Sequence, residues 1–186
     1  MSLNPKLIVS ALCLALAPCV ARATIYFRNT GTTSGWSSFY VEHNGSVTAQ
    51  STPHYDTTTS LRARQIYDSS YTGRYHAEAR YSQGAKQGWD RYYGYCFYLP
   101  SNWQYVDQNF NIMQFIGTPS CATGGQPWTM LWIRNQALQT RITTGPDGCT
   151  RSDQNFTITS STTLGTWHKV TIHGDWESNN TGWFSV

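Results

Sequence analysis

Charged residues are scarce in this chain of 186 residues: they make up 12% of it, with 13 Lys and Arg against 10 Asp and Glu and a formal net charge of +3. A disordered chain would carry more charge and fewer aromatic residues. The exposed faces of a helical bundle would carry many more Glu and Lys. A charge of +3 is also too small to indicate a nucleic-acid partner. The length suits one domain with a core of its own.

Long apolar runs are absent apart from residues 7–19, which follow Lys6 and precede the small-x-small sequence Ala21-Arg22-Ala23. A basic start, a short apolar run and small residues before a cleavage point are typical of a secretory signal peptide. The run is too short to span a bilayer. We therefore expect residues 1–23 to be a signal peptide and residues 24–186 to form a secreted, extracellular domain with no membrane partner.

Cysteines are few, and two of the five belong to the signal segment, which leaves Cys96, Cys121 and Cys149. Cys121 and Cys149 lie in Gly-rich loops on either side of a predicted strand pair, so we predict a disulfide between them in an oxidising compartment. Cys96 lies inside another predicted strand and is expected to be a buried free thiol. The absence of a C-x-x-C pair argues against a zinc site.

Three tripeptides match the N-glycosylation pattern Asn-x-Ser/Thr, at Asn44, Asn155 and Asn179. Each match is short, but together they suit a secreted eukaryotic protein. We predict glycosylation at these three positions.

Hydrolase motifs are missing. A glycoside hydrolase needs two carboxylates at a set separation, and no closely spaced acidic pair falls on a predicted strand. The G-x-S-x-G turn of serine hydrolases and the Asp-rich loop of EF-hands do not occur. The histidines other than His76 show no metal-binding spacing, so we expect them to be surface or internally bonded residues.

Helical periodicity is absent too, since no apolar stripe repeats at 3.6 residues over three turns. Aromatic residues make up 15% of the chain, which favours β-structure. Short β-rich runs recur between turn clusters and predict an all-β two-sheet sandwich or jelly roll. The predicted strands are residues 24–28, 38–42, 60–67, 74–82, 91–99, 109–117, 128–134, 137–144, 155–159, 166–174 and 182–186.

The predicted strand at residues 74–82 carries an unusual polar face. Strand alternation places His76, Glu78 and Arg80 together on one face. Three ionisable groups in a row cannot face a dry core without a large penalty. The pattern therefore indicates either an exposed sheet face with a cross-strand salt bridge or a concave cleft that binds a polar ligand.

Gln114 interrupts an apolar row, because strict alternation places it on one face with Phe110, Ile112 and Ile116. It is either a core amide bonded to the backbone or an amide that binds a ligand.

Two further strands offer polar and aromatic side chains that share a face. Trp132 shares one with Arg134, and Gln139 shares one with Arg141. A cleft lined by such residues would suit an anionic sugar, because cations and amides bind carboxylates and aromatic rings stack on sugar faces.

Several segments resemble one family of polysaccharide lyases. His76-Ala-Glu78-Ala-Arg80 resembles the R-x-E-x-R strand motif of jelly-roll alginate lyases, with His in place of the first Arg. Met113-Gln114-Phe115-Ile116 resembles their Q-I-H motif, with Ile116 in place of His. These two departures are the pattern of the fungal glucuronan lyases, which residues 92–103 and 167–173 also resemble. The resemblance covers nearly the whole mature chain.

The resemblance implies a concanavalin A-like jelly roll that cleaves a β-1,4-linked polyuronate, glucuronan, by β-elimination. A base removes the proton alpha to the carboxylate, which must be neutralised to stabilise the enolate-like intermediate. Gln114 and Arg80 are the implied neutralising groups, His76 the implied base or a further neutralising group, and Glu78 a group that orients them. We expect the substrate-binding residues to be Glu78, Trp132, Arg134 and Arg141.

The same resemblance requires no cofactor for the chemistry. It allows a structural calcium ion, whose ligands the sequence does not assign. The expected partner is an anionic polysaccharide, and the expected state is a monomer.

The resemblance implies that a tyrosine on a later strand is the proton donor and an alternative to His76 as the base, and it places this tyrosine downstream of Val186. We therefore expect a sandwich that lacks its C-terminal strands and, for this chain alone, little or no lyase activity. The alternatives differ in outcome. A non-catalytic carbohydrate-binding module would bind without cleaving, a glycoside hydrolase would make reducing ends without a double bond, and an alginate lyase would prefer another polyuronate.

Overall fold

Short strands joined by turns make up the described part of the chain. The structure is a computed structural model and describes residues 23–118, 126–145, 150–177 and 181–186. Within these residues there are eleven strands and no helix. The strands are β1 (Ser38–Val41), β2 (Ser46–Gln50), β3 (Ser60–Arg64), β4 (Ala77–Arg80), β5 (Trp89–Tyr98), β6 (Phe110–Gly117), β7 (Gln126–Arg134), β8 (Ala137–Thr144), β9 (Ser152–Thr159), β10 (Trp167–Trp176) and β11 (Trp183–Ser185).

The strands pair antiparallel in four sheets. Strands β6, β7, β8 and β9 form a four-stranded sheet in chain order, and β11, β10 and β5 form a three-stranded sheet in that order. Strands β1 and β4 form one two-stranded sheet, and β2 and β3 form another. Antiparallel neighbours with tight turns are the arrangement that alternating strands and turn residues favour.

The core lies between the four-stranded and the three-stranded sheets. Leu131 and Ile133 of β7 face Val170 and Ile172 of β10, and all four are at most 5% exposed. Alternate residues of each strand point into this layer, as expected for two sheets packed face to face. Each fully buried Leu or Ile stabilises the fold by about 1.5–3 kcal/mol relative to leaving it exposed.

The opposite face of the four-stranded sheet carries polar residues in register. Gln114 of β6 lies beside Met130 of β7, which lies beside Arg141 of β8 and then Asn155 of β9. Directly opposed residues of antiparallel strands share a face. This row, from Gln114 to Asn155, is therefore on the side of the sheet away from the core.

The turn between β7 and β8 sets this register. Asn135 follows Arg134 with a φ of 53°, a left-handed conformation that Asn adopts more readily than most residues. The tight reversal pairs Arg134 with Ala137 and continues to Met130 and Arg141. A slip by one residue would turn Arg141 into the core.

The prediction of an all-β sandwich of the jelly-roll type is confirmed. Two details were wrong. Residues 24–28 form no strand, and Ile25 and Tyr26 are 70% and 63% exposed. Strand β2 was missed because its sequence, Ser-Val-Thr-Ala-Gln, has little apolar content and is specified by its pairing with β3. In the described residues no helix is long and apolar enough to cross a membrane.

Candidate active site

The polar face predicted for residues 74–82 exists and is extended by β1. Tyr40 lies opposite Glu78, and Ser38 lies opposite Arg80. One step further, the Glu42 backbone N–H donates to the carbonyl of His76 at 3.0 Å, which brings those two side chains side by side. Cross-strand neighbours share a face, so β1 and β4 together present one polar surface.

Glu78 is the centre of this surface. Its Oε2 accepts hydrogen bonds from Nε and Nη2 of Arg80, at 3.1 and 3.0 Å. Its Oε1 accepts one from Nε2 of Gln114 at 3.1 Å, and Nε2 of His76 lies 3.7 Å from the same oxygen. The residues predicted for catalysis, His76, Arg80 and Gln114, are therefore brought together around one carboxylate.

A second carboxylate holds the other side of the histidine. Nδ1 of His76 lies 2.6 Å from Oε2 of Glu42, and the hydroxyl of Tyr40 donates to Oε1 of Glu42. The hydrogen bond from His76, followed by that from Tyr40, lowers the pKa of Glu42. The bond to Glu42 raises the pKa of Tyr40, with burial adding to the effect. Glu42 is therefore the anion of this pair, and Tyr40 keeps its proton.

Tyr40 and Glu42 were not predicted from the sequence. Alternation along the predicted strand 38–42 does place both on one face, which was the available signal. The sequence does not say which strand lies beside that one, so their contact with His76 was not foreseen.

The cluster is partly open to solvent. The side chains of His76 and Glu78 are 25% and 24% exposed, and that of Arg80 is 41% exposed. The Arg80 guanidinium also lies over the Tyr40 ring, 4.1 Å from its centroid, a cation–π contact that fixes its direction. A polar ligand can therefore reach groups whose positions are already set.

Gln114 reaches the cluster because two bulges interrupt β6. Register shifts occur between Asn111 and Met113 and between Phe115 and Ile116. They place Phe110 beside the core residue Ile133, so Phe110 does not share a face with Gln114 as predicted. Bulges re-aim side chains in this way. Gln114 thus bonds to the Glu78 side chain on the polar face and is not a core amide bonded to backbone.

Arg141, one of the predicted binding residues, shares the face of Gln114 two strands away, or about 10 Å. Its Nη2 donates to the Pro127 carbonyl and to the Met130 sulfur, and its Nη1 lies 3.5 Å from Asp153. Its Nε is buried and has no partner among the described residues. The carboxylate beside the guanidinium is that of Asp153, whose pKa is lowered by the Thr143 hydrogen bond and then by the nearby arginines.

Trp132 and Arg134 are not brought to the cluster. Trp132 is only 4% exposed and donates from Nε1 to Gln139 at 2.9 Å, so the prediction that its ring stacks on a sugar is wrong. Arg134 donates to Asp107 at 2.7 Å and lines a shallow cavity of about 480 Å³ beside the β7–β8 turn. It lies four residues from Met130, or about 13 Å along the strand, too far to bind the same sugar unit as Gln114.

Several other predictions concern residues away from this site. Residues 1–22 of the predicted signal peptide 1–23, together with Cys121, Cys149 and Asn179, lie outside the described residues, so the cleavage, the disulfide and that glycan stay predictions. Asn44 and Asn155 are exposed, as glycan acceptors must be.

Cys96 is free, but it is partly exposed and not fully buried as predicted. Its partial burial raises the pKa of the thiol.

The described part of the chain contains no group of three or more acidic, histidine or cysteine side chains that could hold a metal ion. The expected calcium ion therefore stays a prediction without assigned ligands.

Comparisons with known proteins decide the family. A family model described as polysaccharide lyase matches residues 28–186. The chain belongs to the polysaccharide lyase family. A search of curated proteins finds no match.

A solved structure supports the same assignment for this lyase. The chain resembles the solved structure of the endo-beta-1,4-glucuronan lyase from the fungus Trichoderma reesei, with a TM-score of 0.81 and 34% sequence identity. The match covers 87% of this chain and 71% of that one. The family predicted from the motifs around His76 and Gln114 is confirmed, and with it a polysaccharide substrate.

Proposed function

We propose that this lyase is a secreted enzyme that cleaves β-1,4-linked glucuronan by β-elimination, with the uronate carboxylate bound between Gln114 and Arg80. One observation carries the proposal: donors from two separate strands already converge on a carboxylate, that of Glu78. The similarity to an enzyme described as a glucuronan lyase supports the choice of polymer.

The donors have hydrogens left for a substrate. The Gln114 amide nitrogen carries two hydrogens and uses one on Glu78, and the Arg80 guanidinium carries five and uses two on Glu78. Glu78 fixes which end of the Gln114 amide is the donor. A uronate carboxylate beside these groups would accept charge-assisted bonds that strengthen as its enolate forms.

Elimination then proceeds without consuming water. The C5–H bond and the C4–O4 glycosidic bond break, and a C4=C5 double bond forms. The C5 proton goes to Nε2 of His76, the ring nitrogen that faces Glu78 and not Glu42. The leaving oxygen takes a proton from a solvent molecule, and the proton on His76 is released to solvent, so no water is consumed overall. Tyr40 is unsuited to protonate the leaving oxygen, because its proton is held by Glu42 and its pKa is raised.

Arg141 is proposed to bind the carboxylate of a neighbouring uronate. It shares the face of Gln114 two strands away, and a guanidinium is a favourable partner for a carboxylate. A polyuronate lying along the row would place one of its carboxylates at Gln114 and another at Arg141.

The test is the identity of the product. The purified protein is incubated with glucuronan, with alginate and with a neutral β-1,4-glucan, and ultraviolet absorbance and product mass are followed. The proposal predicts oligosaccharides from glucuronan that carry a double bond and lack the water that hydrolysis adds. The expectation from the sequence that this chain alone has little or no lyase activity stays a prediction, and the same assay tests it: no unsaturated product from glucuronan would bear it out and contradict the activity proposed here. Hydrated products would indicate a hydrolase, binding without cleavage would indicate a carbohydrate-binding module, and faster cleavage of alginate would indicate an alginate lyase.

A further inference from the structure

The side chains of Tyr40, Glu42 and His76 form a hydrogen-bonded chain that leads into the cluster. Tyr40 donates to one oxygen of Glu42, and the other oxygen lies 2.6 Å from Nδ1 of His76. The Tyr40 and His76 rings are 4.9 Å apart between centroids, so all three groups pack side by side. Neither Tyr40 nor Glu42 touches the donors proposed for the substrate carboxylate through its own polar atoms.

This arrangement decides where the imidazole proton lies. An ionised carboxylate only accepts hydrogen bonds, so a contact of 2.6 Å to Nδ1 requires the hydrogen on Nδ1. A neutral His76 then has its lone pair on Nε2, which faces Glu78 and the proposed substrate side. The pKa of Glu42 is lowered by these same bonds, which keeps it the acceptor.

Tyr40 prevents Glu42 from turning away. Both carboxylate oxygens are engaged, one by a phenol and one by an imidazole. The phenol is itself covered by the Arg80 guanidinium at 4.1 Å. The Glu42 carboxylate is therefore held in one orientation, and its bond to Nδ1 fixes the orientation of the His76 ring.

We propose that Glu42, held by Tyr40, is a positioning residue that keeps the proton of His76 on Nδ1 and leaves Nε2 free to accept the C5 proton. After the transfer, the imidazolium is stabilised by the same carboxylate. The inference rests on the proposed elimination for its catalytic meaning, but the tautomer itself does not depend on any activity.

The first test reads the tautomer directly. Imidazole nitrogen shifts are recorded by NMR for the wild type and for Glu42→Gln, and the His76 signals are assigned from a His76→Asn spectrum. The wild type is expected to carry its neutral proton on Nδ1. In Glu42→Gln, the Tyr40 hydroxyl keeps the amide oxygen, the amide N–H groups face Nδ1, and the proton moves to Nε2. An Nε2–H tautomer in the wild type, or an unchanged one in the variant, would overturn the proposal.

The chain supplies a matched control. His173 and Asp90 form another carboxylate–imidazole pair on the three-stranded sheet, and there the bonded nitrogen is Nε2. Asp90→Asn should leave the His76 signals and the turnover of glucuronan unchanged. His173 should show the opposite tautomer to His76 within one spectrum.

The second test separates positioning from folding. We expect kcat of Glu42→Gln to fall by about 10²–10⁴-fold, the contribution of a positioned general base, with KM within about threefold. Tyr40→Phe should lose about tenfold, clearly less than Glu42→Gln, because it removes one charge-assisted bond to Glu42 but leaves the acceptor of the Nδ1 proton in place. Equal losses in both variants, or a loss in Glu42→Gln confined to KM, would contradict the proposal.

The two levels of failure are distinguishable. If the wild type makes no unsaturated product, the proposed function fails while the tautomer measurement still decides the role of Glu42. If circular dichroism shows that Glu42→Gln does not fold, Tyr40→Phe is used for the NMR test. In that variant we expect a mixture of the Nδ1–H and Nε2–H tautomers of His76.

Discussion

Oε1 of Glu78 accepts a hydrogen bond from Nε2 of Gln114 at 3.1 Å, although the two residues belong to different sheets. Within the described residues this contact, and not a backbone ladder, joins β4 to β6. A carboxylate thus occupies the meeting point of the amide and the Arg80 guanidinium. The proposed elimination depends on this contact, because it holds the amide and the guanidinium in fixed positions beside each other.

Arg80→Lys should weaken the enzyme although it preserves the charge. Lys cannot place two N–H donors on one Glu78 oxygen or stack flat over Tyr40 as Arg80 does. We expect kcat/KM on glucuronan to fall by about tenfold or more, since a charged hydrogen bond contributes about 1.5–3 kcal/mol. Arg134→Lys, at the distant Asp107 pair, is the control and should stay within about twofold. A larger loss of kcat/KM in Arg134→Lys than in Arg80→Lys would mean that the substrate binds near Arg134.

His76→Ala should abolish most of the turnover and leave binding largely intact. A positioned general base contributes about 10²–10⁴-fold to a proton transfer. Steady-state kinetics on glucuronan give kcat, and calorimetry with a glucuronan oligosaccharide gives Kd. His168→Ala, whose ring stacks on Phe97 in another part of the fold, is the control. A variant of His76 that retains its kcat would remove this residue from the mechanism.

Asp68 should make the protein sensitive to acid. Hydrogen bonds from Ser70, followed by that from His43, lower the pKa of Asp68 from 3.8 to about 2. A depressed carboxyl pKa stabilises the fold above the unfolded value, and that stability is lost as pH falls through the folded value. The window therefore runs from about pH 4 down to about pH 2.

Asp68→Asn tests this directly. Urea denaturation should show the variant less stable than the wild type at pH 6, with the difference shrinking as pH approaches 2. Asp56→Asn, at an exposed loop position, serves as the control. A difference that stays constant across the window would mean that Asp68 acts through something other than its charge.

Leu131→Ala should destabilise the sandwich without touching the site. Leu131 is 0% exposed and lies between the two large sheets. Removing a buried Leu leaves a cavity and costs about 2–5 kcal/mol of unfolding free energy. Ile25→Ala, at a position 70% exposed, should change the free energy by about 0.5 kcal/mol or less. Chemical denaturation of both variants measures the contrast, and similar values for the two would place the core elsewhere.

Much of the fold could be predicted because strand alternation and turn residues are local signals. His76, Glu78 and Arg80 share a face because β4 is extended, which the sequence from Tyr75 to Tyr81 already indicates. The strand β2 has no comparable pattern of its own. It exists because β3 offers it a partner.

The candidate site was predicted only where a motif marked it. Gln114 and His76 stood in recognisable segments, whereas Glu42 acts through a contact with a residue 34 positions away. The burial of Trp132 likewise depends on which segments cover that face. Such contacts are set by the packing of distant strands, and one sequence does not specify them.

The most direct test of the account compares glucuronan oligosaccharides with their methyl esters in the wild type and in Gln114→Ala. If Gln114 neutralises the uronate carboxylate, its removal should cost about 10²–10³-fold in kcat on the acid. The ester has no charge to neutralise, and its enolate carries one negative charge instead of two, so its loss should be at least about tenfold smaller. Equal losses on both substrates would contradict the claim that the uronate carboxylate is bound at Gln114.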